Sequence, residues 1–158
     1  MKIRDFMTQG VHTVRPDDTL DTAAGRMWAH DCGSLPVVDV SGRVIAMVTD
    51  RDVCMAAYTQ GKRLSSIRVA TAMSRGVVTC YSEDAPIAAE RKMREQQVRR
   101  LPVMDNRGRL VGIVSLNDIA LEAAGDSTET TRDLNPQELT ATLAAICRHR
   151  NTALAVGP

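Results

Sequence analysis

Two short stretches place a hydroxyl three residues ahead of a carboxylate: Thr49-Asp50-Arg51-Asp52 and Ser115-Leu116-Asn117-Asp118, each directly after an apolar run. Where a buried strand turns into a helix, that spacing sets hydroxyl, carboxylate and the helix's free N–H groups on one side of the turn. The carboxylate can accept two hydrogen bonds from a cis-diol, while hydroxyl, amides and a nearby Arg hold anionic oxygens. A sugar phosphate suits such a set. The same spacing also makes a capping box, in which hydroxyl and acid only close the helix end. Both readings stand here, because a duplicated fold duplicates its caps.

Other chemistry is poorly supported. His12, His30 and His149 are isolated in sequence and read as surface or packing residues. No His-Glu-x-x-His or Gly-x-Ser-x-Gly occurs, and Gly61-Lys62-Arg63 lacks the rest of a phosphate-binding loop. The chain is therefore read as a non-enzyme. Cys32, Cys54, Cys80 and Cys147 form no Cys-x-x-Cys pair and read as free thiols, with no metal site expected.

The two hydroxyl–acid stretches belong to an internal repeat. Shifting the sequence by 66 positions aligns, without a gap, Met7 with Met73, Gly10-Val11 with Gly76-Val77 and Thr13 with Thr79. Downstream, Ala23 meets Ala89, Met27 meets Met93, Leu35-Pro36-Val37 meets Leu101-Pro102-Val103, and Asp52 meets Asp118. Each copy predicts the series β-α-β-β-α. Val11 to Val14 and Val77 to Tyr81 are β-prone, and Pro16-Asp17-Asp18 and Ser82-Glu83-Asp84 suit a helix N-cap. Leu20, Ala23, Ala24, Met27 and Trp28 then fall on one helical face; in the second copy Glu90 and Arg94 narrow that stripe. Leu35 to Val38 and Val44 to Val48 predict a hairpin about the turn Asp39 to Gly42, and Leu101 to Met104 and Leu110 to Val114 repeat it. Closing helices follow from about Asp50 through Tyr58 and from Leu116 through Ala124.

A unit of about 50 residues has too little core to stand alone, so the two must pack as a pair. The expected organisation is a first unit over 1–60, a linker and second unit over 61–125, and a polar linker with a terminal helix over 126–158. Thr59 to Ala70, polar and basic, reads as the connection between units. In the tail, Asn135-Pro136-Gln137-Glu138 reads as a helix start, and Leu139, Leu143 and Ile146 as its apolar stripe. The fold class is α+β, two units related by a pseudo-twofold plus a C-terminal helix.

Composition agrees with a small soluble chain and removes whole classes of function. Among 158 residues, 20 Lys and Arg stand against 19 Asp and Glu, giving a net charge of +1. There is no global electrostatic case for nucleic acid or an anionic membrane. Aromatic residues make up only 3%, which argues against a base-stacking platform for single strands. No apolar run approaches membrane-spanning length, and a cytoplasmic protein is expected.

The repeated unit resembles the CBS domain (cystathionine beta-synthase type), and the pair resembles a Bateman module over residues 1 to about 125. The first copy carries the likeness in Gly10-Val11-His12-Thr13, Leu35-Pro36-Val37-Val38-Asp39 and Ala46-Met47-Val48-Thr49-Asp50-Arg51-Asp52. The second carries it in Gly76-Val77-Val78-Thr79, Arg100-Leu101-Pro102-Val103-Met104-Asp105 and Gly112-Ile113-Val114-Ser115-Leu116-Asn117-Asp118. Ala46 departs from the pattern, which has Gly there, as Gly112 does.

The resemblance implies paired clefts for adenosine compounds, each mixing the two repeats, with the Asp on the ribose hydroxyls. One cleft would combine Thr49, Arg51 and Asp52 with Val77, Thr79, Arg99, Arg100 and Leu101. The other would combine Ser115 and Asp118 with Val11, Thr13, Ser34 and Leu35. Arg51, Arg99 and Arg100 mark the first for ligands with several phosphates, whereas Gly33-Ser34 replaces the arginine pair in the second. The implied ligand is AMP, ADP or ATP acting as a regulator, with no resident cofactor and Mg2+ entering only alongside ATP. A homodimer and a regulated partner protein are also implied; a nucleotide-free interaction module is the alternative.

Overall fold

In the computed structural model, which describes residues 1–124 and 136–147, the α+β pair is present and the two repeats keep separate cores. In the first unit α1 (Leu20–Ala29) precedes β1 (Ser34–Val38), β2 (Val44–Thr49) and α2 (Asp50–Gln60). In the second, β3 (Cys80–Tyr81), α3 (Pro86–Gln96), β4 (Arg100–Met104), β5 (Leu110–Ser115) and α4 (Leu116–Ala124) follow. The helix α5 (Pro136–Cys147) ends the described chain. The polar run Asp126 to Asp133, the cap residue Asn135 and His149 lie outside the described residues.

Both hairpins form as expected, β1 antiparallel to β2 and β4 to β5, with matching registers and a matching irregularity near the turn. Their turns are built alike. The Asp39 carboxylate accepts from the N–H groups of Ser41 and Arg43 at 2.9 Å each, and Gly42 takes φ +80°. Asp105 repeats this with Arg107 and Arg109, and Gly108 takes φ +74°.

The expected first strands are corrected. In the first unit only Val14 pairs, as a single parallel bridge to Val37; in the second only Cys80–Tyr81 forms a strand, parallel to β4. The chain ahead of each of them crosses between units and bonds the other unit's hairpin instead, at Ile113 for Thr8 and at Met47 for Ser74. The helix caps also sit later than expected. Thr19 caps α1 by accepting from the Thr22 N–H at 3.3 Å, and Ala85 precedes α3, whose first residue is Pro86. Asp18 and Asp84 instead fold turns onto the N–H groups of Arg15 and Tyr81.

The stretch that reads as a polar linker is part of a core. Ile67 and Val69 are fully buried in the first unit, where each apolar side chain contributes about 1.5–3 kcal/mol. The counterpart of Val69 at the other repeat, Ile3, is buried in the second unit. The exchange is symmetric: the N–H of Ile3 donates to Asp84 and that of Val69 to Asp18, at 3.0 and 2.8 Å. Thr8 exchanges two 2.9 Å bonds with Ile113, and the Ser74 N–H bonds the Met47 carbonyl at 2.9 Å. Each repeat's leading segment thus fastens onto the other repeat, which holds the pair together across the clefts.

Trp28 is corrected too: it is 90% exposed, although it shares a helical face with buried Leu20, Ala23 and Met27. The matching surface of the second unit is covered by α5. There Glu90, only 1% exposed, accepts a hydrogen bond from the Thr142 hydroxyl, Gln97 donates to the Ala145 carbonyl at 3.0 Å, and Ile146 enters the core. The docking face is Leu139, Thr142 and Ile146, while Leu143 stays exposed. Among the described residues no helix is long and apolar enough to cross a membrane.

Candidate functional site

The ends of β2 and β5 carry the two hydroxyl–acid stretches, and both form full capping boxes. The Asp52 carboxylate accepts from the Thr49 N–H at 2.9 Å and the Thr49 hydroxyl at 2.7 Å, while the Asp52 N–H returns a 3.2 Å bond to Thr49 Oγ1. Ser115 and Asp118 repeat it at 2.7, 2.7 and 3.2 Å. In each box every bond received by the acid falls on Oδ2. Oδ1 accepts nothing from the described residues, so the capping box leaves one oxygen of each carboxylate open.

One cavity of about 390 Å3, here cleft A, lies between the units. The first unit supplies Thr49, Asp50 and Arg51 from the start of α2, with Gly33, Ser34 and Met47; the second supplies Val98, Arg99 and Arg100. The three expected guanidiniums therefore line one space. Asp52 sits beside it, bonded to Thr49. Val77 and Thr79 do not line it, the Thr79 carbonyl accepting from Lys92 Nζ at 3.2 Å, and Leu101 is fully buried in the second core.

A second cavity of about 300 Å3, cleft B, brings Ser115 and Asp118 together with Val11 and Ser34. Thr13 is not among its walls; its carbonyl accepts from Arg26, and Leu35 lies in the first core. Cleft B also contains Arg100, which corrects the expectation that its wall holds no arginine. His12 and His30, read as unconnected, stack here with ring centroids 3.4 Å apart and planes at 12°. Asp31 follows, holding φ +47°, which Asp tolerates better than most residues. Its place in the duplicate, Gln97, has φ +52°, so both helices end in the same left-handed turn.

Sequence reasoning missed the histidine stack and the double placement of Arg100 because both depend on the packing of the units. A signal for the second did exist: the 66-residue offset sets Ser34 on Arg100 and Gly33 on Arg99. A side chain at 33 is limited by its neighbour, since a Cβ there would lie 3.1 Å from Asp50 Oδ2. Among the described residues no group of three or more His, Cys, Asp and Glu is arranged to hold a metal ion.

The family model described as the CBS domain matches residues 3–58 and 66–125. The CBS domain-containing protein YhcV of Bacillus subtilis is 37% identical over 130 residues, covering 79% of this chain and 91% of that protein. Hypoxic response protein 1 of Mycobacterium tuberculosis is 38% identical over 120 residues, covering 74% and 81%. The chain spans only 23% of the homoserine O-acetyltransferase of Methanococcoides burtonii, to which it is 33% identical over 117 residues, or 74% of this chain. Among solved structures, Hypoxic Response Protein I, with two coordinated zinc ions, superposes with a TM-score of 0.68 at 33% identity, covering 76% of this chain and 97% of that one. CBSX2 in complex with AMP gives a TM-score of 0.66 at 26% identity, covering 78% and 96%.

Proposed function

The chain belongs to the CBS-domain family, and on that footing we propose that it is a regulatory module binding an adenosine nucleotide in the clefts between its two units. The observation that carries the reading is cleft A, where Thr49, Arg51, Arg99 and Arg100 share one cavity at the start of α2. Guanidiniums and helix N–H groups suit phosphate oxygens, and the open Oδ1 of Asp52 suits a ribose hydroxyl. The AMP complex of CBSX2 supports the ligand class.

Thr49 and Arg51 come from one unit and Arg99 and Arg100 from the other, so a ligand held by all four ties the units in one relative packing. Its effect equals its differential affinity for the packings available. A partner protein reads the result; the role is regulatory and not catalytic, Mg2+ accompanies ATP alone, and the setting is cytoplasmic. Trp28, 90% exposed, and Tyr58, 82% exposed, favour a second role for α1 and α2 as the contact face for another protein or a second copy in a homodimer.

Thermal unfolding tests the ligand reading. At 100 times its dissociation constant a ligand adds about 2.7 kcal/mol, a rise of roughly 5–11 °C for a chain of this size. AMP, ADP, ATP and S-adenosylmethionine are to be tried at millimolar concentration, with Asp52→Ala and Asp118→Ala measured separately. No shift with any of the four refutes nucleotide binding; a shift lost only in Asp118→Ala refutes the choice of cleft A.

A further inference from the structure

Ser34 and Arg100 are duplicates of one another, the first residues of β1 and β4, and both line both clefts. A perfect duplication would put two guanidiniums at this shared position. Here there is one. Cleft A adds Arg51 and Arg99 and has one carboxylate, Asp50, in its wall. In cleft B the other charged side chains are Asp31 and Asp118, both acidic. The His12 and His30 rings stack on each other at 3.4 Å in the same wall.

Resting on the nucleotide reading above, we infer that the two clefts take different ligands: cleft A a phosphorylated adenosine compound, and cleft B an uncharged or positively charged one. Arg100 is the shared residue. A phosphate in cleft A engages it bidentately with Arg99 and Arg51 nearby, and this removes the one guanidinium that the described residues bring to cleft B. What remains in cleft B is a carboxylate pair, which repels a second phosphate and tolerates a neutral or cationic substituent. The Asp118 Oδ1 stays available for the ribose hydroxyls of either ligand. Two phosphorylated ligands on one chain are therefore mutually opposed, whereas a phosphorylated and a neutral ligand are compatible.

Isothermal titration of the full chain tests this with ADP and adenosine as probes. The expected result is a single tight ADP site, a second ADP at least about 10-fold weaker, and adenosine still binding to ADP-saturated protein. Two ADP sites of equal affinity, or complete loss of adenosine binding on saturation with ADP, would overturn the division of ligands. Absence of both heat and a thermal-unfolding shift with both probes refutes the nucleotide reading itself, a distinguishable result. Ser34→Arg restores the missing guanidinium and is expected to strengthen the second ADP site by about 10-fold. Ser34 is buried, so Asp31→Asn provides an independent variant at an exposed position whose left-handed backbone Asn readily adopts. A second ADP site unmoved in a folded Ser34→Arg and in Asp31→Asn overturns the electrostatic account.

Discussion

Gly112→Ala separates ligand access from packing as the reason for a glycine in β5. Gly112 and its duplicate Ala46 differ only by a methyl, and glycine there could be read as making room for a ligand. The structure gives another cause. A Cβ on Gly112 would stand 2.5 Å from Met7 Sδ, 3.0 Å from Met7 Cγ and 3.0 Å from the Thr8 carbonyl oxygen. The sulfur lies on a flexible side chain and can turn away. The carbonyl cannot easily follow, because the Ile113 N–H holds it at 2.9 Å and the Thr8 N–H bonds the Ile113 carbonyl at the same distance. An added methyl therefore pushes the leading segment off β5. Overpacking of this kind costs about 1–3 kcal/mol, at roughly 2–4 °C of melting temperature per kcal/mol. Thermal unfolding followed by circular dichroism measures it. Met7→Ala combined with Gly112→Ala relieves the sulfur contact and leaves the carbonyl contact, so only part of the loss returns. An unchanged melting temperature for Gly112→Ala, or full recovery in the double variant, refutes the backbone argument. Ala46→Gly is expected to destabilise as well, by about 1–2 kcal/mol, since a buried methyl is lost and a strand gains glycine's chain entropy.

Further expectations concern thiols, acid and the tail helix. Burial pushes the Cys80 thiol up to about 12, so a thiol reagent at neutral pH should label exposed Cys54 and Cys147 promptly and Cys80 only on unfolding; rapid native labelling of Cys80 contradicts its placement. The Ser41 hydroxyl and the Arg43 N–H hold the Asp39 carboxyl at about 2 against an ordinary 3.8. A lowered acid stabilises fully above its unfolded value and loses that contribution as pH falls through the folded one, so Asp39→Asn should flatten the stability profile between about pH 4 and 2; an unaltered profile counts against the turn's role. Glu90 Oε2 is buried without a partner among the described residues, while Oε1 takes the Thr142 hydroxyl. Thr142→Val should cost about 1–3 kcal/mol by leaving that carboxylate unpaired, and little in a Glu90→Met background. Equal losses in both backgrounds, measured by urea unfolding, would show that the hydrogen bond is not the cause.

The duplicated frame is legible in the sequence because local chemistry fixes most of it. Alternating apolar runs around Asp-x-x-Gly turns specify both hairpins, and the hydroxyl–acid spacing specifies both helix starts. What is not legible depends on cover supplied from far along the chain. Periodicity puts Trp28 on the same face as Met27, yet only a covering element buries that flank, as α5 covers Glu90 in the second unit. The basic residues of 59–70 hide Ile67 and Val69, whose spacing of two marks them only once it is known which unit they enter. Leu101 and Leu35 fail as cleft residues for a related reason: strand alternation turns them inward, while Arg100 and Ser34, one residue earlier, face the clefts.

That alternation also governs the position shared by the two clefts. Positions 34 and 100 hold the same register, opposite Thr49 and Ser115 in their hairpins. Neither side chain enters its unit's apolar core, so Ser in one and Arg in the other leave both cores intact. The same exchange one residue later, at Leu35 or Leu101, would bury an unpaired charge and cost far more than a surface change. The shared position thus differs between the repeats outside either apolar core, while the capping boxes on either side keep the carboxylates in place. On that common frame, Arg51 and Arg99 line one cleft and Asp31 and Asp118 the other, which is enough to give the two clefts different electrostatic character.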